Sequence, residues 1–191
     1  MKFARILLAA IVGGIIMFMW GFCVHELLPI GKAGIKSLPA ETTLLPAMKD
    51  AIHEPGFYFF PGMEAKLSAD EWKAYVEKYK TSPAGILIYK PVGGEKNMPK
   101  LLGFELGSNI AAAFFAATLI AVTGGARRGI PVGLFMGLFA WLSIDVSYWN
   151  WYNFTTPVLL SSLLEQTVGW LAAGIAMSFI VGKPIPVPAQ A

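Results

Sequence analysis

Asp145 and Glu165 are the only charged residues between Arg128 and Lys183, a stretch of mostly apolar side chains. An acidic group at the centre of a bilayer costs about 2.5–3.5 kcal/mol even on the mildest insertion scales, so each needs a proton, a cation or a hydrogen-bond donor. Candidate partners are few. The chain has two histidines, each followed by glutamate: His25-Glu26 and His53-Glu54. Two imidazoles and two carboxylates are enough to hold zinc, iron or copper, if the polar segment carrying His53 folds back toward His25. His25 could also serve as an axial ligand to a haem or chlorin. Spacing supports neither reading: the chain has no His-Glu-x-x-His helix and no Cys-x-x-Cys-His attachment site. Glu105 joins the candidates at the outer end of a second apolar run.

The elements that position these groups follow from composition. The 191 residues are 55% hydrophobic and 14% charged, too much apolar surface for one soluble core of that size. A bilayer is the expected solvent. The net charge of +3 comes largely from lysines dispersed among acids between residues 31 and 100, so no basic tract exists and nucleic acid is not an expected partner. The single cysteine, Cys23, excludes an internal disulfide and a cysteine metal cluster.

Residues 6–24 carry no charge and would span about 28 Å as a helix, close to the roughly 30 Å of a hydrocarbon core. No small-x-small site follows and Phe22 precedes Cys23, so a retained membrane helix within residues 1–30 is expected rather than a cleaved signal. Residues 31–100 read as a water-exposed α+β insert. It comprises a short helix near 42–52 with Pro46 in its first turn or kinking it, a strand at 56–60, a helix opened by the capping box Ser68-Ala69-Asp70-Glu71, and a strand at 85–89. Such an insert is too small to be comfortable alone, and its aromatic faces are expected to rest on the membrane helices or on a partner. Residues 101–182 hold three more spans, at about 104–124, 130–149 and 157–181, with Tyr148-Trp149-Asn150-Trp151-Tyr152 as an aromatic crossing between the last two. A short proline-rich tail, 183–191, closes the chain. The fold class is therefore membrane α-helical: four transmembrane helices with a small extracytoplasmic insert between the first and second.

Arg5, Arg127, Arg128 and Lys183 all fall at ends that must share one side of the membrane, which the positive-inside rule makes cytoplasmic. Both termini are then inside, and the insert faces the periplasm or exterior of a bacterial inner (plasma) membrane. At about 1.5 Å per residue from the cytoplasmic ends, His25 lies about 28 Å up, Glu105 about 33 Å, Asp145 about 22 Å and Glu165 about 24 Å. All belong to the outer third, where a polar layer of His25, Glu26, Glu105, Asp145 and Glu165 is expected. The bland alternative is hydrated interfacial charge, strongest for Glu26 and Glu105.

Helical phase places Glu165 with Ser161, Ser162, Gly169, Ala172 and Ala176, and Glu105 with Ser108, Asn109, Ala112 and Ala116. These small, polar stripes suit close helix approach, as does Gly133-xxx-Gly137. Asp145 is expected on a different face, with Trp141, Leu138 and Leu134. Walker, dinucleotide and Gly-x-Ser-x-Gly motifs are absent, so an enzyme is not expected, and the sequon at Asn153-Phe154-Thr155 lies too near the membrane to carry weight. Three functions remain. The first is an accessory or structural subunit docking onto other membrane subunits or its own copies. The second is a metal- or cofactor-binding protein using His25, Glu26, His53 and Glu54 with the carboxylate layer. The third is a small oligomeric transporter or proton relay, weakened by the almost wholly apolar inner two-thirds.

Overall fold

The computed structural model describes residues 2–63 and 66–182; the expected tail and Lys183 lie outside them. Two compact units result, one formed by the two ends of the chain up to Ile35 and from Lys96, the other by Lys36–Glu95. Among the described residues, four helices are long and apolar enough to cross a membrane, at Phe3–Leu27, Met98–Thr123, Gly125–Tyr152 and Thr156–Val181. The protein is mostly helical and has the make-up of a multi-pass membrane protein.

In the first unit, α1 (Lys2–Phe22) continues into a π-helical turn, Cys23–Leu27. With α2 (Glu41–Ala51) and α3 (Ala69–Thr81) belonging to the insert, the next helix of this unit is α4 (Met98–Thr123). It begins six residues before the expected 104 because Asn97 caps it, its side-chain oxygen accepting from the Lys100 amide, and Pro99 suits a first turn. Glu105 consequently sits two turns inside the helix, about 27 Å from its Thr123 end. A 3₁₀ turn, Gly125–Arg128, leads to α5 (Gly129–Ala140), a second π-helical turn (Trp141–Asp145) and α6 (Val146–Tyr152). The aromatic residues 148–152 are thus helical and extend the third span. The rod stops only at Asn153, which adopts the left-handed conformation that asparagine tolerates better than most residues.

The last helix, α7 (Thr156–Val181), is the hub: α1, α4 and α5 all pack on it, and α1 also packs on α4. Its core is built from small residues, with Ala9, Ala113, Ala116, Ala117 and Ala173 fully buried around Ile120 and Met177. Lipid tails are as apolar as leucine, so close approach of backbones is what favours association here. Gly129, Gly133 and Gly137 lie one turn apart on α5 and face the α7 backbone at Gly174, Trp170 and Gln166. A methyl group on Gly137 would stand 2.6 Å from the Gln166 carbonyl oxygen. At the opposite end of the bundle from the π turns, the Ala126 amide donates to the Gly182 carbonyl at 2.8 Å, which brings Arg127 and Arg128 to the end of α7.

The second unit contains α2 (Glu41–Ala51), with Pro46 within it, and α3 (Ala69–Thr81). Strands β1 (Gly56–Phe60) and β2 (Gly85–Tyr89) pair antiparallel, Phe57 opposite Ile88 and Phe59 opposite Ile86. A cis peptide joins Phe60 to Pro61. Ser68 caps α3 reciprocally with Glu71: the Ser68 amide donates to the carboxylate at 2.8 Å and the hydroxyl at 2.7 Å. Those two donors, the hydroxyl foremost, hold the Glu71 carboxyl below the ordinary glutamate range. Pro61 is the one buried residue among those described in this unit.

Candidate functional site

The two π-helical turns lie at the end of the bundle remote from the arginines, and each carries part of the expected polar layer. A π turn accommodates one extra residue, so side chains beyond it are rotated relative to a regular helix, and such turns are common at functional sites. In the first, the Leu28 amide reaches back five residues to the Cys23 carbonyl at 2.9 Å. His25, within the turn, is aimed at α7, and its Nε2 lies 3.3 Å from Glu165 Oε1. The Trp20 indole N–H donates to the Glu165 backbone carbonyl at 3.0 Å. One residue of α7 is thereby held by α1 at both its backbone and its side chain.

Gly31 backs the imidazole from the other side. A methyl group there would come within 2.5 Å of His25 Nδ1 and 2.8 Å of its Cα, both too close. The 3₁₀ turn Ile30–Lys32 therefore seats the histidine from behind while Glu165 meets it from the front. The pair is only partly shielded, with side-chain exposures of 53% for His25 and 26% for Glu165.

In front of the pair is an open cavity of about 330 Å³ between α1, α4 and α7. Its polar wall is His25, Glu26, Glu105 and Glu165; Phe18, Phe22 and Leu102 form its apolar wall, with Gly21 between. Asn109, one turn along α4, donates to Glu105 Oε1 at 3.2 Å and orients that carboxylate. Four of the five residues of the polar layer thus line one cavity.

The fifth, Asp145, is half-buried and does not line it. Asp145 closes the π turn Trp141–Asp145 and lies within electrostatic reach of Glu165 on α7. Trp141 is turned toward α7 as well, its indole N–H donating to the Leu159 carbonyl at 2.9 Å. Glu165 lies within electrostatic reach of both Asp145 and Glu105.

His53 and Glu54 belong to the Lys36–Glu95 unit and are exposed, and the Glu54 carbonyl accepts from the Tyr58 hydroxyl at 2.9 Å. No group of three or more His, Cys, Asp or Glu side chains among the described residues converges as a metal-binding set. His25 and Glu26 belong to the unit formed by the two ends of the chain. Of the packing residues, Gly133 and Gly137 meet the α7 backbone, Gly169 meets Trp20 and Met17, Ala116 is buried and Ala112 half-buried. Ala172 is exposed, and its neighbours Ala173 and Gly174 fill the seams instead. Because α7 is packed from several sides at once, its buried surface is wider than one stripe. Trp20 and Gly31 escaped sequence reasoning as site residues: Trp20 acts across helices on a carbonyl 145 positions away, and Gly31 matters only through the close approach of its turn to His25.

Comparison with protein-family models, with curated proteins and with solved structures finds no match.

Proposed function

We propose that this protein is an accessory membrane subunit, anchored by its four helices and docking onto a larger membrane complex through the Lys36–Glu95 unit. The observation that carries this reading is how little that unit buries. A two-stranded sheet with two short helices is marginal on its own, and here Ile88 is 79% exposed, Val92 71% and Trp72 52%. Exposed apolar groups of that number in a polar insert are characteristic of a surface that another protein covers. With the arginine-bearing ends in the cytoplasm by the positive-inside rule, the docking unit faces the periplasm or exterior. The partner in this reading is a membrane-protein subunit whose extracytoplasmic surface offers a complementary apolar face.

The test is Ile88→Asp in the full-length chain, purified from native membranes alongside the wild type. Co-purifying proteins lost in the variant, with helical content unchanged by circular dichroism, support the reading. A wild-type protein that emerges from gentle extraction as a lone monomer in native mass spectrometry refutes it.

A second reading is favoured by a separate observation, the His25–Glu165 pair facing a cavity with one polar and one apolar wall. Under it, the outer end of the bundle is a ligand site.

A further inference from the structure

Taking the second reading as its basis, we infer that the cavity between α1, α4 and α7 binds a primary organic ammonium group carrying an apolar arm. Three carboxylates and one imidazole line it, so the site is negative when the glutamates are ionised and selects a cation. Among the described residues the carboxylates and His25 form no set of three or more that a single metal ion could satisfy. An organic ammonium needs fewer carboxylate acceptors than a bare metal ion, because one or two can satisfy its N–H donors while its body rests on the apolar wall. Glu165 and Glu105 stand on different helices, and each is already oriented, by His25 and by Asn109 respectively.

The rest of the wall fits the remainder of such a ligand. Phe18 and Phe22 sit one turn apart on α1, with Leu102 across from them on α4. Ring faces attract an ammonium within about 6 Å, and the same surface buries hydrocarbon. At about 330 Å³ the cavity falls at the small end of the roughly 300–1,000 Å³ usual for ligand sites, which favours a short arm over a bulky polycycle. A free amphipathic amine and the headgroup of an aminophospholipid share this chemistry. The cavity is at a bundle end, where either could enter.

The experiment uses the full-length chain in phosphatidylcholine nanodiscs, with phenethylammonium as the probe, and reads the ring resonances of isotope-labelled histidine. With two histidines in the chain, His53→Gln assigns the His25 signals at once. A saturable shift of the His25 ring is expected, with apparent affinity reduced about tenfold or more by Glu105→Gln and by Glu165→Gln, and unchanged by Glu54→Gln. Glu105 is exposed, so its variant is expected to keep the fold and serves if Glu165→Gln does not. Nanodiscs containing phosphatidylethanolamine separate the two sources: a headgroup ligand gives the shifted His25 signals without probe and blocks its effect, whereas a free-amine site leaves the titration unchanged. Either outcome supports the inference. A response to zinc with none to the amine overturns it but keeps the ligand-site reading, and no response to zinc, amine or aminophospholipid overturns both.

Discussion

Gly137→Ala adds one methyl group to a helix that, in most settings, would welcome it. Alanine is favoured over glycine in a helix interior by about 0.5–1 kcal/mol. Here the new carbon would stand 2.6 Å from the Gln166 carbonyl oxygen, 2.8 Å from the Thr167 Cα and 2.9 Å from the Gln166 carbonyl carbon. All three are backbone atoms, so no side chain can swing aside, and α5 must retreat from α7 by about 0.5–1 Å, which forfeits a quarter to a half of each contact along the seam. Overpacking of this kind costs about 1–3 kcal/mol, more than the propensity gain. Gly107→Ala is the matched control. Gly107 lies within α4 with nothing within 4 Å of the added carbon, so the same chemical change should stabilise by up to about 1 kcal/mol. Unfolding of both variants in mixed micelles, titrated with sodium dodecyl sulfate and followed by circular dichroism, gives the two signs. If Gly137→Ala unfolds no earlier than wild type, or shifts in the same direction as Gly107→Ala, the glycine-mediated approach of α5 to α7 is wrong.

Two further outcomes follow from the bundle end and from the insert. His25→Ala leaves the partly buried Glu165 carboxylate without its partner and is expected to cost about 1–2 kcal/mol, between the values for exposed and buried pairs, whereas Glu165→Gln, which keeps a hydrogen-bonding group opposite the imidazole, should cost less. The same detergent titration ranks them, and the reverse order would contradict the pairing. In the insert, Glu71 titrates below its ordinary value of 4.5 because Ser68 donates to its ionised form. A depressed folded-state value means that the cap's contribution is full above the unfolded value and is lost as pH falls through the folded one. Amide signals at the start of α3 should therefore be steady at neutral pH and change below about pH 4.5, with the change absent in Ser68→Ala. A transition above pH 5 would speak against the reciprocal cap.

The four helices long and apolar enough to cross a membrane were legible in the sequence because charge-free runs of that length admit few other readings, and the capping box and both strands of the insert were legible because their signals are local. Three features were not. The early start of α4 depends on Asn97 turning its side chain onto the Lys100 amide, which displaced Glu105 inward from the helix end. Continuation of the third span through the aromatic residues 148–152 depended on the absence of a breaker before Asn153, against the pull of their interfacial character. Both π turns left no recognisable signature, and the first carries the chemically important side chain that meets α7, His25 against Glu165.

Sequence by itself determined the solvent this protein is built for and the end of the bundle to which its acids belong, since desolvation leaves a carboxylate few places in an apolar chain. Only tertiary structure decided which acids meet. Glu165 and His25 are 140 positions apart, Glu105 lies on a third helix, and they come to line one cavity because alanine and glycine seams bring α1, α4 and α7 close enough for their ends to share it. That closeness is a property of packed backbones, set by how small residues on separate helices coincide, and no periodicity within a single helix carries it.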